Sequence, residues 1–236
     1  MKNDYTFKLL AIIILVGVFA ALFDTAHAAA TPKPMRTRTR SGTYQSSNGN
    51  SGTVAATITR GQGKATRTGT LTNQNGQTAT HTSTRTWDKA TGTGTVTSSA
   101  TGFNGASSNR SGTTVKNADG TVSDQGTLTR PAGKTFTYAE TTTKTAAGAS
   151  TTGTITGADG KVSTISASVA KTAPGTVTHD RTVTGPDGKT ATHDITTQVN
   201  PNGTGTRVVE ITQPDGTKTV RTETFTSTTM GTPPKP

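Results

Sequence analysis

From about residue 43 onward, small or charged positions and Thr positions alternate with a period of two, and Gly-containing turns interrupt the pattern. In KATRTGTLT, Thr66, Thr68, Thr70 and Thr72 share one face; in QTATHTSTRTW, Thr78, Thr80, Thr82, Thr84 and Thr86 do. Thr93, Thr95 and Thr97 continue the set in TGTGTVT. A period of two over β-branched residues predicts strands, because successive side chains on a pleated strand point to opposite faces. No segment after residue 28 carries a helical period.

The interruptions are regular. Turn-type glycines at Gly76, Gly92, Gly105, Gly120, Gly133, Gly148, Gly160, Gly175, Gly188, Gly203 and Gly216 are separated by alternately long and short intervals, and pairs of intervals repeat every 28 residues in the last repeats (Gly160, Gly188, Gly216). Four residues before each short-interval glycine stands Thr72, Thr101, Thr129, Thr156, Thr184 or Thr212, and the residue before that Thr is aliphatic. Pro186-Asp187-Gly188 and Pro214-Asp215-Gly216 have hairpin chemistry: Pro presets a negative φ and Gly accepts a positive one. The alternate turns, such as Pro201-Asn202-Gly203 and Ala173-Pro174-Gly175, are expected to be slightly longer. The fold expected is all-β: an elongated antiparallel β-meander of 28-residue hairpin repeats, about a dozen strands over residues 43–229. A narrow β-solenoid, one coil per unit, is the alternative. An open meander would leave its first and last strands with unpaired backbone groups through which molecules could join.

The N-terminus changes the setting. Lys2 and Lys8 precede and flank an apolar run from Leu9 to Phe23, and Ala26-His27-Ala28 offers small residues for cleavage, so residues 1–28 read as a secretory signal. The run is shorter than the roughly 20 residues a span needs, so no stable membrane span is expected after cleavage. Residues 29–42 read as a basic, Pro-containing arm bearing Arg36, Arg38 and Arg40, and residues 230–236 as a Pro-rich tail. The protein is expected to be secreted, to periplasm, cell surface or medium.

Composition narrows the function. Hydrophobic residues are 28% of the chain against a norm of roughly 45–50%, and the formal charge is +11. That combination also marks largely disordered basic chains, which the fixed columns and turns argue against. With no Cys, disulfides and thiolate metal sites are excluded. Aromatics at 4% are too sparse for base-stacking platforms, so sequence-specific nucleic-acid recognition is not expected. A Thr face without aromatic girdles argues against an outer-membrane barrel.

Candidate chemistry is thin. His179-Asp180 and His193-Asp194 recur as THD, but unit spacing is not expected to set equivalent residues side by side, so no metal site is assigned. Asp119, Asp159, Asp187 and Asp215 precede turn glycines and read as turn formers rather than calcium ligands. Trp87 and Tyr138 read as packing residues. No G-x-S-x-G elbow, phosphate loop or HExxH occurs, and no hydroxyl has an evident base, so no catalytic residue, cofactor or metal is assigned. Lys134, Lys161 and Lys189 each follow a turn and read as solvated turn flanks, with a basic row along one edge as the functional alternative.

TGPDGKTATHD, TQPDGTKTV and RTWDKATGTGTVT resemble the tandem Thr/Gly-rich β-repeats of secreted bacterial proteins. They are loosely similar to RHS/YD-type repeats, with Trp87-Asp88 matching the aromatic-Asp pair. That resemblance implies an extracellular β-repeat scaffold without catalytic residues. TRTGTLT, THTSTRT and TGTGTVT resemble the TxT arrays of insect antifreeze proteins, which implies an uncharged ice-binding lattice; Asp180, Asp194 and Glu210 interrupt it in the second half. The function expected is therefore structural or adhesive and non-enzymatic. A Thr-rich face would meet an extended partner, an anionic polysaccharide or cell-surface polymer, or another copy through sheet edges or faces. Ice binding is the alternative.

Overall fold

A computed structural model of the chain describes residues 35–231. Residues 1–28, read above as a signal, the part of the expected arm before residue 35, and residues 232–236 of the tail lie outside the described residues. The elements are β1 (Arg36–Ser46), β2 (Ser51–Gly61), β3 (Lys64–Asn73), β4 (Thr78–Thr86), β5 (Thr93–Thr101), β6 (Ser107–Lys116) and β7 (Val122–Thr129). They continue with β8 (Thr135–Lys144), β9 (Gly148–Gly157), β10 (Val162–Ala173), β11 (Thr176–Thr184), β12 (Thr190–Val199), β13 (Thr204–Thr212) and β14 (Lys218–Gly231). A 3-10 turn at Pro131–Gly133 links β7 to β8. Each strand pairs antiparallel with the next, as a meander requires.

The sheet is not open. β1 pairs with β14 over its whole length, from Arg36↔Gly231 to Ser46↔Arg221, and the fourteen strands close into a barrel. Closure overturns the open meander and the solenoid alternative. It also removes the free edges expected of the first and last strands, since their backbone groups are used in pairing each other. Residues 36–42 are strand rather than arm, so the barrel begins seven residues before the expected boundary at 43.

The unequal intervals explain the closure. Residues opposite one another two strands apart differ by about 30 positions: Thr39, Thr57 and Thr68 form one such set, and Thr182, Thr192 and Thr212 another. The turn glycines recur every 28, so each hairpin is about two residues out of register with the one before. Over seven hairpins the offset grows to roughly 14–16 residues. For fourteen strands that stagger corresponds to a tilt of about 40° and a backbone radius of about 13 Å. A sheet staggered by about its own strand number meets its first strand instead of spreading.

Turn chemistry fixes the hairpins. Gly185 N–H donates to Lys189 O (2.8 Å) and Gly188 N–H donates back to Gly185 O (2.9 Å), with Gly188 at φ 76°. The Asp187 carboxylate accepts from Lys189 N–H (3.2 Å), and Asp119, Asp159 and Asp215 accept from the backbone N–H two residues on in the same way. Of the alternate turns, expected to be slightly longer, Asp88–Thr93 is longer by one residue, and those that follow are not. Asn200–Thr204 repeats the five-residue pattern, whereas Gln62-Gly63 and Ala146-Ala147 are two-residue turns. The long intervals come from the stagger of the strands.

The two faces of the wall differ. Outward positions are mostly Thr and Ser with a few Ala, Val, Gln and Asn, joined by acidic residues on β11–β13; inward positions carry every buried aromatic together with the strand arginines, Asp124, Glu140, Glu223 and the histidines, among small residues. The apolar part of the interior is small: Tyr138, Ile155, Ile165, Val183 and Ala191 cluster with Phe136 against them. Aromatic rings inside lie over strand glycines. Tyr44 pairs with Gly52, Tyr138 with Gly126, Phe136 with Gly157, and Phe225 with Gly42 on one side and Gly205 on the other. A Cβ at Gly205 would stand 2.7 Å from Phe225 Cζ, so the ring occupies the space a side chain would need.

Candidate functional site

The alternation that made the strands also sorts the chemistry into an outer wall and a lumen. On the outer wall Thr66, Thr68, Thr70 and Thr72 of β3 face Thr84, Thr82, Thr80 and Thr78 of β4 in direct register. Thr84 and Thr80 face Thr97 and Thr101 of β5, and Thr86 Oγ1 lies 2.8 Å from Thr95 Oγ1. Thr93 stands at the start of β5, with its hydroxyl 2.7 Å from that of Thr91. All twelve candidate threonines thus belong to one surface. It continues through β2 and β1 to β14, where the Thr39 and Thr228 hydroxyls lie 2.7 Å apart and those of Thr43 and Thr224 3.2 Å. Between the turns, the outward positions of β1–β10 carry no charge except Lys64 at the start of β3.

Charge returns on β11–β13. Asp180 faces Asp194, and Asp194 faces Glu210. This corrects the expectation that unit spacing keeps the THD residues apart: the Asp180–Asp194 hairpin is centred on Asp187, midway between them. Burial raises the Asp194 carboxyl, and its acidic neighbours Asp180 and Glu210 add to the rise. The three form a line on a convex wall rather than a cage, with Glu210 held by Lys218 at 2.6 Å. Among the described residues no group of three or more His, Asp or Glu is arranged to hold a metal.

Over β6–β9 the wall has a shallow depression lined by Thr113, Gln125, Thr127, Thr137, Thr154 and Thr156, and backed by Gly112, Gly126 and Tyr138. Gly112 and Gly126 pair directly, which brings the Tyr138 ring against the backbone there.

The expected basic contacts divide. Lys134, Lys161 and Lys189 follow turns at the same end of the barrel, on hairpins β7–β8, β9–β10 and β11–β12. Lys161 and Lys189 lie near their own turn aspartates, 3.6 Å from Asp159 and 3.9 Å from Asp187. Arg36 and Arg38 are exposed on β1, with Arg38 Nε donating to Ser227 Oγ (2.7 Å). Arg40 is not a surface contact: it points into the lumen and pairs with Glu223 at 3.2 Å.

The lumen is the feature the sequence reading missed. Glu223, 1% exposed, receives Arg207 (2.9 Å), Arg221 (3.1 Å) and Arg40 (3.2 Å). Glu140 receives Arg110 (2.8 Å) and Arg181 (3.4 Å), and Asp124 receives Arg85 (2.9 Å) together with a short bond from the Thr114 hydroxyl. Arg110 lies 4.0 Å from the centre of the Tyr138 ring and Arg40 4.8 Å from that of Phe225. Burial acts to raise the Glu223 carboxyl, but Arg207, Arg221 and Arg40 together hold it below the usual carboxylate range; Arg110 and Arg181 do the same for Glu140. Burial pushes His81 down to about 4, aided by Arg67, and His179 to about 4, aided by Arg207 and Arg67. His193 is pushed to about 3 by burial and by Arg207, Arg181 and Arg221. A signal for this belt was present. Arg40, Arg67, His179 and Arg207 each stand nine residues before a turn glycine (Gly49, Gly76, Gly188, Gly216), hence at one height inside the wall.

The chain matches no family model, no curated protein and no solved structure. The RHS/YD and antifreeze resemblances therefore rest on the quoted segments alone.

Proposed function

We propose that the protein is an exported, non-enzymatic scaffold or adhesin whose working surface is the outer hydroxyl wall. The observation that carries this reading is the segregation of charge. A chain with 24 Lys and Arg turns most of its strand arginines inward and leaves ten consecutive strands with an outer face of Thr and Ser. Such a face offers methyls and hydroxyls at strand spacing along the barrel, and both donates and accepts hydrogen bonds. A polysaccharide chain at a cell surface has the matching chemistry, and the depression over β6–β9 gives it a concave place to dock. With the arginines turned inward, an anionic polymer would meet charge mainly at the ends of the barrel, at Lys134, Lys161, Lys189, Arg36 and Arg38.

Co-sedimentation with insoluble neutral and acidic polysaccharides tests the proposal. Binding to a neutral polymer that persists in high salt and is lost in Thr127→Lys with Thr137→Lys supports the hydroxyl wall. Binding only to acidic polymer and lost in high salt would transfer the role to the basic ends. A second reading, ice binding, is favoured by the direct Thr-on-Thr register across β3 and β4, although a wall that turns by about 26° per strand, as fourteen strands closing a circle require, limits any flat plane to two or three strands. Thermal hysteresis with faceted crystals would support it, and none at high protein concentration would remove it.

A further inference from the structure

We propose that the end of the barrel where β1 begins and β14 ends docks on an anionic lipid bilayer through the ring of Arg36, Arg38, Lys116, Lys144 and Lys171. The meander sends the turns after β2, β4, β6, β8, β10 and β12 to this end and the others to the opposite one. Arg36 opens β1 between Arg60 and Gly231, Lys116 and Lys144 close β6 and β8, and Lys171 stands two residues from the end of β10. These cations are exposed, as are Lys64 at the start of β3 and Lys89 in the β4–β5 turn. The exposed acids at this end are Asp88 and Asp119, so its exposed charge is 7 − 2 = +5. Both carboxylates serve their own turns, Asp88 accepting from Ala90 N–H and Asp119 from the Thr121 N–H and hydroxyl. Among the described residues no carboxylate lies within ion-pair distance of Arg36, Arg38, Lys116 or Lys171.

The opposite end has similar turns without this excess. Its exposed lysines, Lys134, Lys161, Lys189 and Lys218, stand against Asp159, Asp187 and Asp215, which gives 4 − 3 = +1. Lys161 and Lys189 lie 3.6 and 3.9 Å from turn aspartates, and Lys218 lies 2.6 Å from Glu210. Turn formation therefore does not require the asymmetry. The shape of the ring selects the partner. Its cations are spread from β1 to β10, and at about 26° per strand that is more than half of the circumference. A linear polymer crossing the end reaches part of such a ring, whereas a plane of phosphate headgroups reaches all of it at once. Chain connectivity agrees, because the segments before residue 35 and after residue 231 join the barrel here. Only eleven residues, 24–34, separate Met35 from the apolar run Leu9–Phe23 that the sequence reading assigns to an export signal. Fully extended, they reach about 40 Å.

Co-sedimentation with lipid vesicles tests the proposal on the chain from residue 29 onward, which keeps the whole barrel and leaves out the apolar run. Binding is expected to vesicles containing phosphatidylglycerol and not to phosphatidylcholine alone. It is expected to fade between about 0.1 and 1 M salt, as the screening length falls from about 10 to about 3 Å. Each Lys or Arg near an anionic surface strengthens binding about fivefold. Lys116→Gln with Lys144→Gln and Lys171→Gln is thus expected to weaken binding on the order of 100-fold. The matching triple at the other end, Lys134→Gln with Lys161→Gln and Lys189→Gln, is expected to change it by less than about fivefold. Arg36→Gln with Arg38→Gln repeats the test on the same rim, with an expected loss of about 25-fold, should the first triple not fold. Equal weakening by variants at the two ends, or no binding to the anionic vesicles, would overturn the proposal. Capture by a soluble acidic polysaccharide with vesicles left unbound would overturn it as well and give the rim to a linear polymer.

Discussion

At the scale of single residues, stability rests on what fills the lumen. Glu223→Gln removes the buried carboxylate shared by Arg207, which is buried, and by the half-buried Arg40 and Arg221, and is expected to cost about 3–5 kcal/mol in denaturant unfolding. Lys161→Ala, which breaks an exposed pair with Asp159, is expected to change stability by less than about 1 kcal/mol. Strand glycines divide the same way. Gly205→Ala would drive a Cβ to 2.7 Å from Phe225 Cζ and is expected to destabilise by about 2–3 kcal/mol, whereas Gly69→Ala meets nothing closer than 3.9 Å and is expected to be neutral or stabilising by up to about 1 kcal/mol. This level was half legible. The Thr column identified one face correctly, but the opposite positions, mixed Arg, Ala, Gly, Leu and His, were not read as an interior because scattered arginines ordinarily lie in solvent. Only the closed wall turns Arg40, Arg67 and Arg207 into neighbours.

At the scale of elements, the hairpin is the unit. Gly188, at φ 76°, cannot take a side chain without strain, so Gly188→Ala is expected to lower stability by about 1–2 kcal/mol, while Pro186→Ala is expected to cost less than about 1 kcal/mol through the unfolded chain. Thermal melts of the two variants compare them directly. The strands, the turns and the antiparallel order were legible because the period of two and the Asp-Gly turns act locally. Two readings at this scale went astray for one reason, the neglect of register. A hairpin centred on Asp187 must set Asp180 opposite Asp194, and intervals alternating about a 28-residue repeat must offset each hairpin from the last. That offset is present in the glycine intervals; its accumulation into a stagger that closes a barrel is a property of all fourteen strands together.

At the scale of the whole molecule, a closed wall with a charged interior is expected to be sensitive to acid. The three histidines have an ordinary pKa of 6.5 and are held near 4, 4 and 3 in the folded chain, so between pH 6.5 and those values the unfolded chain takes up protons that the folded one does not. Stability is therefore expected to be full above pH 6.5 and to fall as the pH drops toward 4. Below that, the depressed carboxyls Glu223 and Glu140 are expected to extend the loss as they too are protonated. Tm measured across pH 8 to 3 checks the sign, and replacing the histidines by Gln is expected to flatten the upper part of the fall. The central claim is closure of β1 on β14, and the absence of Cys allows a clean measurement of it. Thr43 and Thr224 stand opposite across that seam, 181 residues apart in sequence, with hydroxyls 3.2 Å from each other. Thr43→Cys with Thr224→Cys is expected to oxidise to an intramolecular disulfide in nearly every monomer, seen as a faster band on a non-reducing gel, with the melting temperature raised. Free thiols under the same oxidation, or disulfide-linked dimers in place of the monomer band, would contradict the barrel.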